Sequence, residues 1–233
     1  MAVTLSGPLD AGFRWRIVVD DGDPTTLETE LTGILADIGS RGGGAVQLWV
    51  RTVDEELDRV ATDLGFDAYR DLWQMRCPLP VEGTDLVVRP FADDDAGAFL
   101  AVNNRAFSWH PEQGDMSEAD LSERRAEPWF DPQGFLLHDR DGRLAGFCWT
   151  KEHRDTTPPL GEIYVIAVDP DFAGRGLGTA LTRAGLAHLA AAGLTTGMLY
   201  VESDNHAAVA TYHRIGFTRH HTDRAYRTHV EAT

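Results

Sequence analysis

The sequence predicts an α/β fold: a mixed central sheet flanked by helices, preceded by a shorter half-domain of similar make-up. Three observations carry that expectation. Apolar strand-like runs alternate with amphipathic helical stretches along most of the chain. One run, Glu162–Val168 (EIYVIAV), is apolar almost without a break, as in a strand covered on both faces. A weak internal echo also links VQLWVRTVDEELDRVATDLGF (46–66) to GMLYVESDNHAAVATYHRIGF (197–217), and FRWRIVVD to EIYVIAVD.

Taken in order, Phe13–Asp20 alternates as a strand, and Pro24–Ile38 reads as a helix with Asp23 or Thr25 as its cap and Gly39 near its end. Val46–Arg51 is a second strand, Glu55–Leu64 an amphipathic helix stopped by Gly65, and Tyr69–Pro78 a third strand. Pro78, Pro80 and Gly83 punctuate the chain, which places a short linker near residues 79–84. The division expected is a shortened, degenerate domain over residues 1–80 and a complete one over 84–233.

Beyond the linker, Leu86–Pro90 reads as a strand and Asp93–Ala106 as a helix whose acidic first turn suits the helix dipole. Ser117–Ala126 is a further helix; Phe135–His138 and Arg143–Thr150 are strands joined by DRDG. After Glu162–Val168 come a helix from Leu177 to Ala192, strand Gly197–Val201 and helix Asn205–Ile215. A final strand pair is expected around Phe217–His221 and Ala225–Arg227.

Composition narrows the class. With 233 residues and 42% of them apolar, the chain can bury a sizeable core. No run approaches a membrane span, and the first residues lack a basic-then-apolar leader, so a cytoplasmic location is expected. A formal charge of −16 disfavours nucleic acid and anionic membranes as partners, yet leaves room for a local anion site built from backbone N–H groups. Cys77 and Cys148 belong to no C-x-x-C pattern and the histidines form no H-E-x-x-H, so neither a disulfide framework nor a metal site is expected.

The chemistry is concentrated around VDPDFAGRGLGTAL (168–181). A strand, a turn with glycines at 176 and 178, and a helix N-terminus together form an anion cradle, because the first helical N–H groups have no carbonyl partners. Arg175 adds a direct charge. The turn lacks G-K-[ST] and a third glycine, so it is neither a P-loop nor a dinucleotide turn. GSRGGG (39–44) follows a helix and does not open one.

About thirty residues on stands N-x-x-A-x-x-x-Y-x-x-x-G-F, made by Asn205, Ala208, Tyr212, Gly216 and Phe217. With the glycine turn, it makes residues 86–227 resemble the GCN5-related N-acetyltransferase (GNAT) superfamily. Five further segments are similar to the mycothiol synthase family: NNRAFSWHPEQG (103–114), RRAEPWFDP (124–132), GFCWTK (146–151), GEIYVIAVDP (161–170) and LYVESDN (199–205). The resemblance implies a GNAT fold and acetyl-CoA as co-substrate, held by Ile166, Ala167, Val168, then Ala173, Gly174, Arg175, Gly176, Leu177, Gly178 and Thr179, with Asn205 and Ala208. It implies Glu162 as general base and Tyr212 as general acid, with Glu112, Lys151, Glu162 and Tyr200 facing the acceptor. The acceptor it implies is a small-molecule amine, the cysteine amine of cysteinyl-glucosaminyl-inositol, used by a monomer or homodimer.

The residues themselves leave other readings open. Glu162 also suits a strand-edge salt bridge, Tyr212 and Tyr200 core packing, Lys151 an exposed strand end and Glu112 a plain loop position. The family's turn usually begins with Gln or Arg, whereas Ala173 and Gly174 precede Arg175 here, from which weakened cofactor binding is expected. The stretch before residue 46 is too short for a whole first domain and lacks its glycine turn. Acetylation of another small amine, an antibiotic or polyamine, or a non-catalytic acetyl-CoA-binding module are the alternatives.

Overall fold

The computed structural model describes residues 3–7, 12–20, 24–108 and 114–233. The chain forms two compact units: one made of the residues through Gln74 with Val201–His206 and Arg219–Thr233, the other of Met75–Tyr200 and Ala207–Thr218.

In the first unit, β1 (Val3–Ser6) lies antiparallel to β2 (Trp15–Val19), and β2 runs parallel to β3 (Gly44–Val50). The crossover between these parallel strands is helix α1 (Pro24–Ser40). Thr25 falls inside α1 and so does not cap it, while Asp23 lies outside the described residues. GSRGGG is the tight return from α1 into β3: Gly43 and Gly44 take φ of +59° and +122°, and the Gly43 carbonyl accepts the Trp15 indole N–H at 3.0 Å. Helix α2 (Glu55–Asp63) follows, capped by Asp54, whose carboxylate accepts the Glu56 and Leu57 N–H groups. Strand β4 (Asp67–Pro78) comes next, and Trp15, Ile17, Leu27, Leu31, Leu48 and Phe66 fill the core.

The strand pair expected near the C-terminus is one strand, β10 (Thr218–Val230), antiparallel to β3 from Arg224 to Val230. Its polar middle stays extended because Asp223, fully buried, is held in place. It accepts from Arg51 at 2.8 Å and the Thr52 N–H at 3.0 Å, with His221 at 3.3 Å. Burial alone would push that carboxyl up; donation from His221, Thr52 and Arg51 outweighs it and holds it below the usual carboxylate range.

The second unit is a mixed sheet in the order β9-β8-β7-β6-β5: Thr196–Glu202, Leu160–Val168, Arg143–His153, Phe135–Arg140 and Arg89–Pro90. The strand expected over 86–90 shrinks to two residues. His138 Nδ1 meets the Val87 carbonyl at 2.8 Å where a ladder bond would otherwise form, and β6 shifts register at that histidine. The acidic turn expected to open a helix is a separate 3₁₀ turn, Asp93–Asp95, fixed by Arg89 on both Asp95 oxygens; α3 proper is Ala96–Ala106. Ser117 and Asp120 form a capping box at α4 (Glu118–Ala126).

Helix α3 packs on the sheet through Phe99, which meets Phe147 of β7 edge-on at 4.7 Å and Phe135 of β6 at 5.0 Å, and Phe135 in turn stacks on Trp149 of β7 at 4.4 Å. Helix α5 (Leu177–Ala191) covers the other face, and α6 (His206–Ile215) follows β9. The approach of α5 depends on Gly185: a Cβ there would stand 2.5 Å from Cys148 Sγ and 2.8 Å from Ile163 Cδ1. Gly185→Val is therefore expected to destabilise the protein by about 1–3 kcal/mol, read as a lower denaturant midpoint at unchanged m-value.

One chain order occurs twice along the sequence. β2-α1-β3-α2-β4 is followed later by β8-α5-β9-α6-β10.

Candidate active site

The site begins with an opening in a strand pair. β8 and β9 are parallel, but their register covers only Gly161↔Gly197 and Glu162↔Met198. From Ile163 to Val168, among the described residues, that edge of β8 has no β9 residue in register, so its backbone is available to an extended ligand arm. The opposite edge stays zipped to β7, with one irregularity. Thr150 opposes Ile163 and Trp149 opposes Val165, so Tyr164 is the extra residue of a β-bulge. The bulge resets the alternation: Tyr164, Val165 and Ala167 pack with the α3 core, whereas Ile163 and Val168 approach α5. Ile166, opposite Cys148, and Ala167 and Val168 thus end the open edge just before the glycine turn.

That turn is built differently from its expected glycine pair. The left-handed positions are Gly174 (φ +75°) and Gly176 (φ +78°), while Gly178 lies inside α5, where a Cβ would make ordinary contact with Val168 Cγ2 at 3.9 Å. Gly174, which looked like a departure from the family pattern, supplies the first reversal, because a left-handed backbone costs any other residue about 1–2 kcal/mol. Gly176 is the N-cap of α5 and carries no side-chain cap, so the first N–H groups, at Leu177, Gly178 and Thr179, head the helix with its positive end. Ala173 and Arg175 are exposed on the turn. The strand feeding it is anchored by buried Asp169, which accepts the Asp171 N–H at 2.9 Å and pairs with Arg105 at 2.9 Å. A backbone cradle of this kind fits a phosphate or pyrophosphate group. Asn205 closes the turn after β9 through its N–H to the Glu202 carbonyl at 3.0 Å, and Ala208 lies in the first turn of α6.

At the other end of the open edge stands Glu162, 8% exposed and two residues before Tyr164, on the same face of the strand. Lys151 of β7 is directly opposite it. Its ammonium lies over the Trp129 ring at 4.5 Å and the Tyr164 ring at 5.7 Å. Tyr200, two residues past Met198 in β9, shares Glu162's face by strand alternation and is 36% exposed. The structure thus brings Lys151, Glu162 and Tyr200 to one face; Glu112 lies outside the described residues.

Four neighbours escape a reading of the sequence alone: His153, Trp129, Tyr164 and Arg124. His153 Nε2 is 2.7 Å from Glu162 Oε2, and Trp129 meets Tyr164 edge-on at 4.9 Å. Burial pushes the Tyr164 phenol up; Arg124 opposes this, and the charges of Glu162 and Glu127 add to it. Period-two spacing from Lys151 was the available signal for His153, and the EPWF segment for Trp129.

Tyr212 of α6 belongs to the other face. It is 9% exposed, its ring meets Phe217 at 5.7 Å, and burial raises its phenol far above the ordinary value, with Cys148 adding to the shift. Cys77 and Cys148 are both free and buried, and burial pushes each thiol up to about 12. Neither forms appreciable thiolate near neutrality, so both are expected to resist iodoacetamide at pH 8 until denaturant is added, as counted by intact-mass spectrometry. Among the described residues no group of three or more His, Cys, Asp or Glu side chains could hold a metal ion. Nor is any helix long and apolar enough to cross a membrane.

Residues 99–217 match the acetyltransferase (GNAT) family. Mycothiol acetyltransferase of Streptomyces coelicolor is 48% identical over 208 residues, covering 84% of this chain and 64% of that protein. The protein of the same name from Mycobacteroides abscessus is 49% identical over 195 residues, with 80% and 66% covered. The chain therefore spans slightly less than two thirds of the length of either relative. A GCN5-related N-acetyltransferase from Sphaerobacter thermophilus superposes with a TM-score of 0.72 at 22% identity, over 93% of this chain and 73% of that one, a likeness of fold. With an open parallel pair, a left-handed glycine turn heading α5 and these relatives, the chain belongs to the acetyltransferase (GNAT) family.

Proposed function

We propose that this protein is an acetyl-CoA-dependent N-acetyltransferase of the mycothiol synthase kind, whose acceptor is the cysteine amine of cysteinyl-glucosaminyl-inositol. The observation that carries the reading is the alignment of three features along one strand: Glu162, the unpaired edge from Ile163 to Val168, and the glycine turn. An extended pantetheine arm pairs with that edge at Ile166, Ala167 and Val168. Its pyrophosphate would lie on the N–H groups from Arg175 to Thr179, beside the Arg175 charge, with Ala173 and Gly174 in the same turn and Asn205 and Ala208 contributing at the start of α6. The carrier supplies an activated thioester; the chain's own residues do the rest. Glu162 accepts a proton from the acceptor ammonium, leaving a neutral nitrogen to attack. A backbone N–H near Ile166 polarises the acyl oxygen, and Tyr212 donates a hydrogen bond and then a proton to the departing sulfur. Lys151 and Tyr200 face the acceptor, and Glu112, outside the described residues, is assigned to it by the resemblance alone.

Residues 84–233 carry this chemistry in the proposal, and residues 1–80 are a degenerate copy of the same strand–helix pattern that does not hold the donor. Supporting this, β2 and β3 remain in register over five residues, Trp15 to Val19, where β8 and β9 hold only two. No edge is left open there for a pantetheine arm.

The test is CoA release with the cysteinyl-glucosaminyl-inositol amine, run beside a polyamine and an aminoglycoside. Turnover of the first alone supports the proposal. Turnover of another amine removes the substrate assignment, and CoA binding by calorimetry without turnover of any amine leaves a binding module.

A further inference from the structure

Glu162 is not a free carboxylate awaiting an amine. Its side chain is 10% exposed, and Oε2 is already engaged by His153 Nε2 at 2.7 Å. The contact is diagonal across the ladder, since Lys151 stands opposite Glu162 and His153 opposite Leu160. Among the described residues, charged groups facing this part of the sheet include Lys151 on β7, over the Tyr164 ring of β8, and Arg124 and Glu127 at the end of α4, which act on the Tyr164 phenol together with Glu162. Lys151 is drawn over the Trp129 and Tyr164 rings, so the carboxylate is held by the imidazole.

An ionised carboxylate only accepts hydrogen bonds, and a neutral imidazole has a single N–H, so this pairing holds the imidazole proton on Nε2. The remaining nitrogen, Nδ1, belongs to a ring that is 23% exposed at the end of β7. That end is itself fixed: the Thr156 hydroxyl lies 3.0 Å from the His153 carbonyl and 2.9 Å from that of Pro158, tightening the turn that follows. A glutamate has three side-chain torsions to restrain, and proton abstraction requires one oxygen aimed at the nitrogen within hydrogen-bond reach.

We propose that His153 is the positioning residue for Glu162: by donating from Nε2 to Oε2 it fixes the carboxylate and leaves Oε1 to meet the acceptor amine. The proposal rests on Glu162 being the general base. His153→Ala is expected to lower kcat about ten- to a hundredfold, the cost of a misplaced catalytic group, with KM for acetyl-CoA within about twofold. His153→Gln, whose amide N–H reaches about as far as Nε2, is expected to recover most of kcat. A parent-like kcat in His153→Ala overturns the proposal, as does an equal loss in both variants, which marks a purely structural role.

A second measurement does not depend on turnover. Nitrogen-15 imidazole spectra of the parent are expected to show His153 as the Nε2–H tautomer, and Glu162→Ala to release it to a mixture. An unchanged tautomer in Glu162→Ala overturns the contact even if Glu162→Gln is inactive. Full activity in Glu162→Gln removes the base assignment, and the positioning role with it, while the tautomer result still reports the contact.

Discussion

Glu162→Gln is expected to lower kcat about 10²–10⁴-fold, the range in which a positioned general base operates, while KM for acetyl-CoA stays near that of the parent. The substitution is close to isosteric, and a Gln carbonyl can still accept from His153 Nε2, so the 2.7 Å contact and the packing around it have a direct replacement. What disappears is the ability to take a proton. The acceptor then enters as an ammonium with no lone pair, and only its minor neutral fraction reacts. In energy, the expected loss is about 3–5.5 kcal/mol of transition-state stabilisation, at 1.36 kcal/mol per tenfold. A strand-edge ion pair predicts something different: turnover would be retained at every pH, and the change would appear as a lower thermal midpoint. Steady-state CoA release across a pH series, with the melting temperature measured on the same samples, separates the two.

The sequence revealed what depends on local pattern and hid what depends on register. EIYVIAV is legible as a central strand because both its faces are covered, and the strand–turn–helix that follows is legible because Gly176 marks the helix start. The sign of φ is not written in glycine spacing. Gly178 took the credit that belongs to Gly174, since a glycine inside the first helical turn and one in a left-handed turn look alike as letters. The bulge at Tyr164 had no signal either, yet it decides which side chains share Glu162's face. His153 was missed for the same reason: its partner is set by a diagonal across two strands whose register follows from the bulge. The C-terminal strand was expected as two, Phe217–His221 and Ala225–Arg227, with the polar Thr222, Asp223 and Arg224 between them. The donors that keep it extended, Arg51 and the Thr52 N–H, come from about 170 residues earlier in the chain.

Tyr212→Phe is expected to lower kcat about 10²–10³-fold with little loss of stability, because the ring keeps its edge-on contact with Phe217 and only the hydroxyl is lost. Burial governs what that hydroxyl can do. It raises the phenol well above its ordinary value, so the O–H is retained throughout the working pH range and Tyr212 contributes no fall in rate on the basic side. The same burial makes a tyrosinate costly, so proton transfer comes late and the larger effect is a hydrogen bond to negative charge growing on sulfur. That charge is largest for a poor leaving group. An acetyl thioester of an aryl thiol, which departs readily as its anion, should therefore narrow the gap between Tyr212→Phe and the parent, whereas acetyl-CoA should show it in full. A tyrosine that merely fills the α6 side of the sheet predicts equal rates for parent and variant with both donors. Measuring the four rates, with the melting temperature of each protein, decides whether the phenol acts on the sulfur or only packs against Phe217.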